Sequence, residues 1–177
     1  MFKARAILIA TVILPAIASA VDFGHWVTGM VNDKSGIYAA TSNDDGAVLG
    51  EYCYFTEKSC HWYIAINTSC EKGVVSPILG NTDKGAASLE MLCVGSRVGK
   101  LYQYEFRNWK SLEGLIKSGS RVGFAMPMQE DQFTVHRFLL DGLAKATIDV
   151  ETDFSAAVSA PNTPKSRPVN STKTEVL

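Results

Sequence analysis

Four cysteines, three histidines and a few paired acids are the residues on which chemistry could rest. Zinc would take Cys53, Cys60, Cys70 and Cys93 as thiolates, usually through C-x-x-C pairs, and no such pair occurs. A Cys–His nucleophile needs a thiolate within hydrogen-bond reach of an imidazole. Cys60 and His61 are neighbours in the chain, and neighbours on a strand point to opposite faces. His25, His61 and His136 show neither HxH nor HxxxH spacing and read as exposed or hydrogen-bonded strand histidines. No G-x-S-x-G occurs, and Gly95-Ser96 and Gly119-Ser120 sit in loop-like stretches. Asp44-Asp45 and Glu130-Asp131 fall in turns, where acids are solvated, so a glycosidase-like carboxylate pair finds no further support. No catalytic residue, metal or other cofactor is expected.

The compartment decides what the cysteines do instead. The chain opens MFKARAILIATVILPAIASA: Lys3 and Arg5 form a basic start, residues 6–17 an apolar run, and Ala18-Ser19-Ala20 an A-x-A cleavage signature. Residues 1–20 read as a cleavable secretion signal, with the mature chain starting at Val21 in the periplasm or outside the cell. The apolar run is shorter than the roughly 20 residues that cross a bilayer, and no transmembrane segment is expected in the mature part. Removing the signal takes two of 17 basic residues and none of 18 acidic ones, leaving a net charge of −3. That balance gives no footprint for nucleic acid.

An even cysteine count in an exported chain reads as two disulfides. Three pairings are possible; the expected one is Cys53–Cys60, across the polar turn Thr56-Glu57-Lys58-Ser59, with Cys70–Cys93.

Around these residues the pattern is mostly strand-like. Strands are expected at 25–31, 37–42, 47–55, 60–67, 74–79, 87–94, 101–106, 121–126 and 132–140. Asn43-Asp44-Asp45-Gly46 and Asn81-Thr82-Asp83-Lys84-Gly85 supply turns, and Pro77 marks its strand as edge or irregular. A helix at 109–117 places Trp109, Leu112, Leu115 and Ile116 on one face, with Asn108 as its cap. Asp141 is positioned to cap a second helix through about residue 149. From Ser155 the composition turns to Pro, Ser, Thr, Asn and Lys, which reads as a disordered tail at 155–177. The fold expected for the single domain at 21–154 is all-β, an antiparallel β-sandwich or partly open barrel with two short helices.

Aromatic residues crowd the middle of the chain. Tyr52 and Tyr54 share one strand face, and Tyr102 and Tyr104 share another. These four make a possible binding surface, beside the plainer reading that they pack the sheet.

The second half resembles the invasion-associated locus B family of exported bacterial proteins. The resemblance lies in Leu89-Glu90-Met91-Leu92-Cys93, an aromatic strand, and a helix ending Leu115-Ile116-Lys117-Ser118-Gly119. A strand RVGFAMP follows, and then a strand running into Phe138-Leu139-Leu140-Asp141-Gly142-Leu143-Ala144-Lys145-Ala146. Trp26 on the first strand fits as well, and the similarity spans residues 26–148. The chain departs from the family in having no Cys between Trp26 and Cys53 and no Gly-Cys pair ahead of the helix. The resemblance implies an all-β exported protein with a part in host interaction and brings no catalytic residues.

The expected function is therefore a non-enzymatic binding protein of the envelope or cell surface, with a protein or an envelope component as its partner. Two alternatives stand beside it: an inhibitor of a secreted hydrolase such as lysozyme, and a Cys- or carboxylate-dependent hydrolase. The sequence does not speak to oligomeric state.

Overall fold

The computed structural model describes residues 20–127 and 132–160. Residues 1–19, 128–131 and 161–177 lie outside the described residues, and with them all but the last residue of the secretion signal expected at 1–20 and most of the tail expected at 155–177. Ten strands form one antiparallel sheet in the order β1-β2-β3-β4-β5-β8-β7-β6-β9-β10. The first five, β1 (Val21–Phe23), β2 (Trp26–Met30), β3 (Gly36–Ser42), β4 (Val48–Tyr54) and β5 (Ser59–Ile66), make a meander. Next come β6 (Val75–Thr82), β7 (Gly85–Val98) and β8 (Leu101–Phe106), then helix α1 (Trp109–Ile116). The chain ends with β9 (Arg121–Pro127), β10 (Phe133–Leu139) and helix α2 (Leu143–Ser159).

The sheet curls until its ends meet without forming a ladder. The Trp26 indole on β2 donates to the Leu139 carbonyl at 3.0 Å, and the His25 amide donates to the Asp141 carbonyl at 3.2 Å. Of the two architectures expected, the molecule is thus the partly open barrel. Alternation sorts the residues: Leu49, Glu51 and Cys53 on β4 point inward with Trp62, Ile64 and Ile66 on β5, while Tyr52 and Tyr63 point out. The inward side chains form one core, in which Trp26 and Trp62 meet edge-on with centroids 6.1 Å apart.

Both helices lie on the concave face. α1 buries Leu112, Leu115 and Ile116 against β6, β7 and β9. Gly80 makes that approach possible, because a Cβ there would stand 2.6 Å from a Leu115 methyl. Asn108 does not cap α1 with its side chain. Strand β8 ends at Phe106, leaving β7 backbone without a ladder partner, and the Asn108 amide fills the gap. Its Oδ1 accepts from the Glu90 N–H at 3.1 Å and its Nδ2 donates to the Ser88 carbonyl at 3.4 Å.

Asp141 likewise does not cap α2. The residue before the helix is Gly142 at φ 92°, where a Cβ would collide with the Phe23 carbonyl, so only glycine fits. α2 continues well past residue 149, and the domain boundary set after residue 154 falls inside it. The apolar stripe explains this: Leu143, Ala146 and Val150 are buried, and Phe154 extends the same face to stack on Phe55 at 6.1 Å.

Three smaller differences have local causes. Strand β1 pairs Val21 to Thr28 and was too short to stand out in the pattern. Strand β7 passes through Gly95 at φ 77° with a register shift between Cys93 and Arg97, and so outruns the expected end at residue 94. Pro77 lies on an interior strand, yet β9 pairs with β6 only from Leu79 to Thr82, so Pro77 faces no donor-seeking neighbour on that side. Both disulfides pair as expected, Cys53–Cys60 directly across β4 and β5 and Cys70–Cys93 tying the β5–β6 loop to β7.

Candidate functional site

On the convex face, tyrosines lie flat over small residues. Tyr38 sits opposite Gly29 and Tyr52, and Tyr63 sits opposite Gly50. A Cβ at Gly29 would stand 3.0 Å from the Tyr38 hydroxyl, and one at Gly50 would stand 3.0 Å from the Tyr52 ring. The glycines therefore let the rings lie down rather than stand up from the sheet. Tyr38 stacks on Tyr52 at 5.5 Å, and Tyr63 meets Tyr52 edge-on at 5.6 Å, in the arrangements aromatic quadrupoles prefer. Burial, with the neighbouring Tyr38 and Tyr54 phenols, pushes the Tyr52 hydroxyl up to about 12. Tyr63 is raised by burial and then by the Glu105 carboxylate, and Tyr54 by burial and then by Glu57. All three stay neutral donors at ordinary pH.

Beside them, His61 bridges Ser59 and Glu105. Its Nε2 lies 2.8 Å from the Ser59 hydroxyl and its Nδ1 2.9 Å from Glu105 Oε1. The order serine, histidine, carboxylate is that of a nucleophile, a base and its orienting acid. Acyl transfer also demands preorganised donors where the oxyanion develops. The hollow next to this array is lined by one cationic side chain, Arg107, together with Trp109 and Phe106. As built, the array fixes His61 and Glu105 at the border of the tyrosine patch.

The four tyrosines singled out by sequence do not share this face. Tyr52 and Tyr54 point outward, but Tyr104 pairs with Ile64 and is buried in the core, its hydroxyl donating to the Thr68 carbonyl at 3.2 Å. Tyr102 pairs with Ile66 on the same inner side and carries the Arg97 guanidinium 4.5 Å above its ring. Tyr38 and Tyr63 take their places. The inward run Trp62, Ile64 and Ile66 would have exposed Tyr63 as outward, and the small residues Gly29, Ala40 and Gly50 would have flagged the rings that cover them.

A second site lies on the concave face, between α1 and α2. Glu51 and Trp62, a directly opposed pair, are 5 % and 3 % exposed at the floor of a cleft of about 510 Å3. Among the described residues neither Glu51 Oε2 nor the Trp62 indole N–H has a hydrogen-bond partner. Burial first, and then the Glu151 and Glu113 carboxylates, push the Glu51 carboxyl up to about 7. Nothing in the sequence reading singled out Glu51. Its signal was an acid at an inward position between Leu49 and Cys53.

His136 is also inward and buried, with neither ring nitrogen hydrogen-bonded among the described residues. Exposed or hydrogen-bonded was the expectation; it fails here because His136 pairs with Phe124, so the alternation that buries Phe124 and Phe138 buries the imidazole with them. It lies apart from His61, and the histidines do not converge. Among the described residues one group of potential metal ligands comes together, Glu51 with Cys53 and Cys60, and those sulfurs are bonded to each other.

No protein-family model matches this chain, and no curated protein matches it. Among solved structures, the fold matches the crystal structure of invasion associated protein b from Bartonella henselae. The TM-score is 0.57 at 12 % identity, over 78 % of this chain and 99 % of that one. The likeness is one of fold.

Proposed function

We propose that this chain is an exported, non-enzymatic binding protein that engages a protein partner through the tyrosine face of β3, β4 and β5, and that it is a diverged relative of the invasion-associated proteins it resembles. The single observation behind the reading is the set of Tyr38, Tyr52, Tyr54 and Tyr63 rings, half-buried and outward, with His61 and Glu105 held at their edge. Tyrosine is enriched where proteins meet, since a stiff ring supplies contact area and its hydroxyl supplies a donor. The fold of a protein called invasion associated supports a partner at the cell surface.

The test uses the full-length exported protein, immobilised beside its Tyr52→Ala/Tyr63→Ala variant, against envelope and host-surface extracts. A partner held by the native face and lost at least tenfold by the variant, at unchanged melting temperature, agrees with the reading. Equal capture by both proteins overturns it. The non-enzymatic half is tested at Ser59: a fluorophosphonate should leave it unlabelled, and labelling abolished by His61→Ala would make the protein a serine hydrolase.

A further inference from the structure

We infer that the cleft between α1 and α2 is a binding site for a small organic ammonium ion with an apolar body and a neighbouring hydroxyl or carbonyl. The floor supplies both polar anchors, for among the described residues Glu51 Oε2 has no donor and the Trp62 N–H no acceptor. Each is more than nine-tenths buried and lines the cleft. A polar group left this way is costly unless something arrives to meet it.

The charge around the floor selects the sign of the ligand. Glu113 and Glu151 face Glu51 from the two helices, against one cation, Lys117. Lys117 Nζ is held by Glu113 Oε2 at 3.0 Å, with its side chain 70 % exposed, so it turns to the rim rather than the floor. With Lys117 and Glu113 paired, Glu151 and, once ionised, Glu51 leave the cleft negative, which favours a cation and repels an anion.

The walls select its kind. Ile116 and Leu143 flank the floor, and Ile148, 63 % exposed, stands at the mouth. A metal ion needs several ligand atoms drawn together; among the described residues the group round Glu51 that is this close is Cys53 and Cys60, whose sulfurs form a disulfide, and Glu113 and Glu151 do not join it. An ammonium group on Glu51, a hydroxyl or carbonyl accepting from Trp62, and a ring or alkyl chain against the isoleucines use every feature of the site. A volume of about 510 Å3 lies within the usual range for small-molecule pockets.

Binding should then strengthen as pH rises through about 7, as Glu51 becomes the carboxylate that the cation needs. The probe is phenylalaninol, with 3-phenylpropan-1-ol as its neutral des-amino analogue and 3-phenylpropionate as the anion. Affinity is read from calorimetry and from the Trp62 indole N–H resonance. At pH 8 the amine should bind at least tenfold more tightly than the alcohol and should shift the Trp62 signal, while the anion should not bind. At pH 5.5 the preference should shrink several-fold. Glu51→Gln should abolish it with an unchanged near-ultraviolet spectrum. If that variant does not fold, the exposed Glu151→Gln should still weaken the amine two- to threefold and leave the alcohol unaffected. Equal binding of amine and alcohol, a pH-independent preference, or a Trp62 resonance unmoved by the amine overturns the inference.

Discussion

The Trp26 indole donates to the Leu139 carbonyl across 113 residues of sequence, joining the second strand of the sheet to the tenth. It stands where a closed barrel would have a ladder, so a side chain holds the seam. Trp26→Phe keeps a ring in the core and removes the donor. We expect a loss of about 1–3 kcal/mol in urea unfolding, from the orphaned carbonyl and the vacated volume. Hydrogen exchange should quicken first at β1 and β10. A uniform change across all strands would show that the seam is no weaker than the rest.

Glu51 makes stability depend on pH in an unusual direction for an acid. Its folded value, about 7 against an ordinary 4.5, means that the native state holds the proton longer than the unfolded chain. Stability contributed by this group is present below 4.5, declines as pH rises to about 7, and is fully lost above that. Glu51→Gln should match the wild type at pH 4.5 and exceed it by roughly 2–4 kcal/mol at pH 8. Denaturant midpoints across that range check it; parallel curves would mean that the carboxyl is not desolvated.

His136 acts in the opposite sense. Burial lowers its pKa from the ordinary 6.5, with Asp45 opposing weakly, so the unfolded chain takes up a proton more readily than the folded one. Stability from this group is complete above 6.5 and is lost as pH falls below it. His136→Leu removes two ring nitrogens without a partner among the described residues and should raise stability by about 1–2 kcal/mol at pH 5, with a smaller gain at pH 8. Thermal melts at the two pH values separate this from a packing defect, which would destabilise equally at both.

The two disulfides should differ in what they hold. Cys53–Cys60 joins residues the ladder already pairs, while Cys70–Cys93 spans 23 positions and anchors a loop. Loop-closure entropy alone puts the second about 1 kcal/mol ahead. The Cys70→Ser/Cys93→Ser protein should melt below the Cys53→Ser/Cys60→Ser protein. The reverse order would show that the hairpin needs its cross-link more than the loop does.

The strands were legible because alternation and turn chemistry are local. Asn43 to Gly46 closes the β3–β4 turn with the Ala47 N–H on Asn43 Oδ1 at 2.8 Å, as its composition indicates. What could not be read was set by distant neighbours. Asn108 and Asp141 both look like helix caps, but the Asn108 amide is claimed by the β7 backbone, and Gly142 stands at the cap position of α2, leaving the Asp141 carboxylate 3.8 Å from the His25 ring. The end of α2 depends on Phe55, about a hundred residues earlier than Phe154. The candidate surface was half legible for the same reason. Tyr52 and Tyr54 share a face by parity alone, but whether β8 shows Tyr102 and Tyr104 to solvent or to the core depends on its register with β5. The cleft needs four elements at once, β4, β5, α1 and α2, and no single stretch of sequence contains it.

α2 rests on β1, β2, β3 and β4, and the Thr28 hydroxyl reaches Asp149 across 121 positions. The helix is also the last element of the described chain to be synthesised. Until it arrives, the inner side of these four strands lacks the helix that covers it. The opening meander can therefore form hairpins early, but it cannot become a finished surface early. A chaperone would find its binding face on these first strands, and a chain cut short before residue 143 would leave that face permanently open. Folding of this molecule waits on its far end.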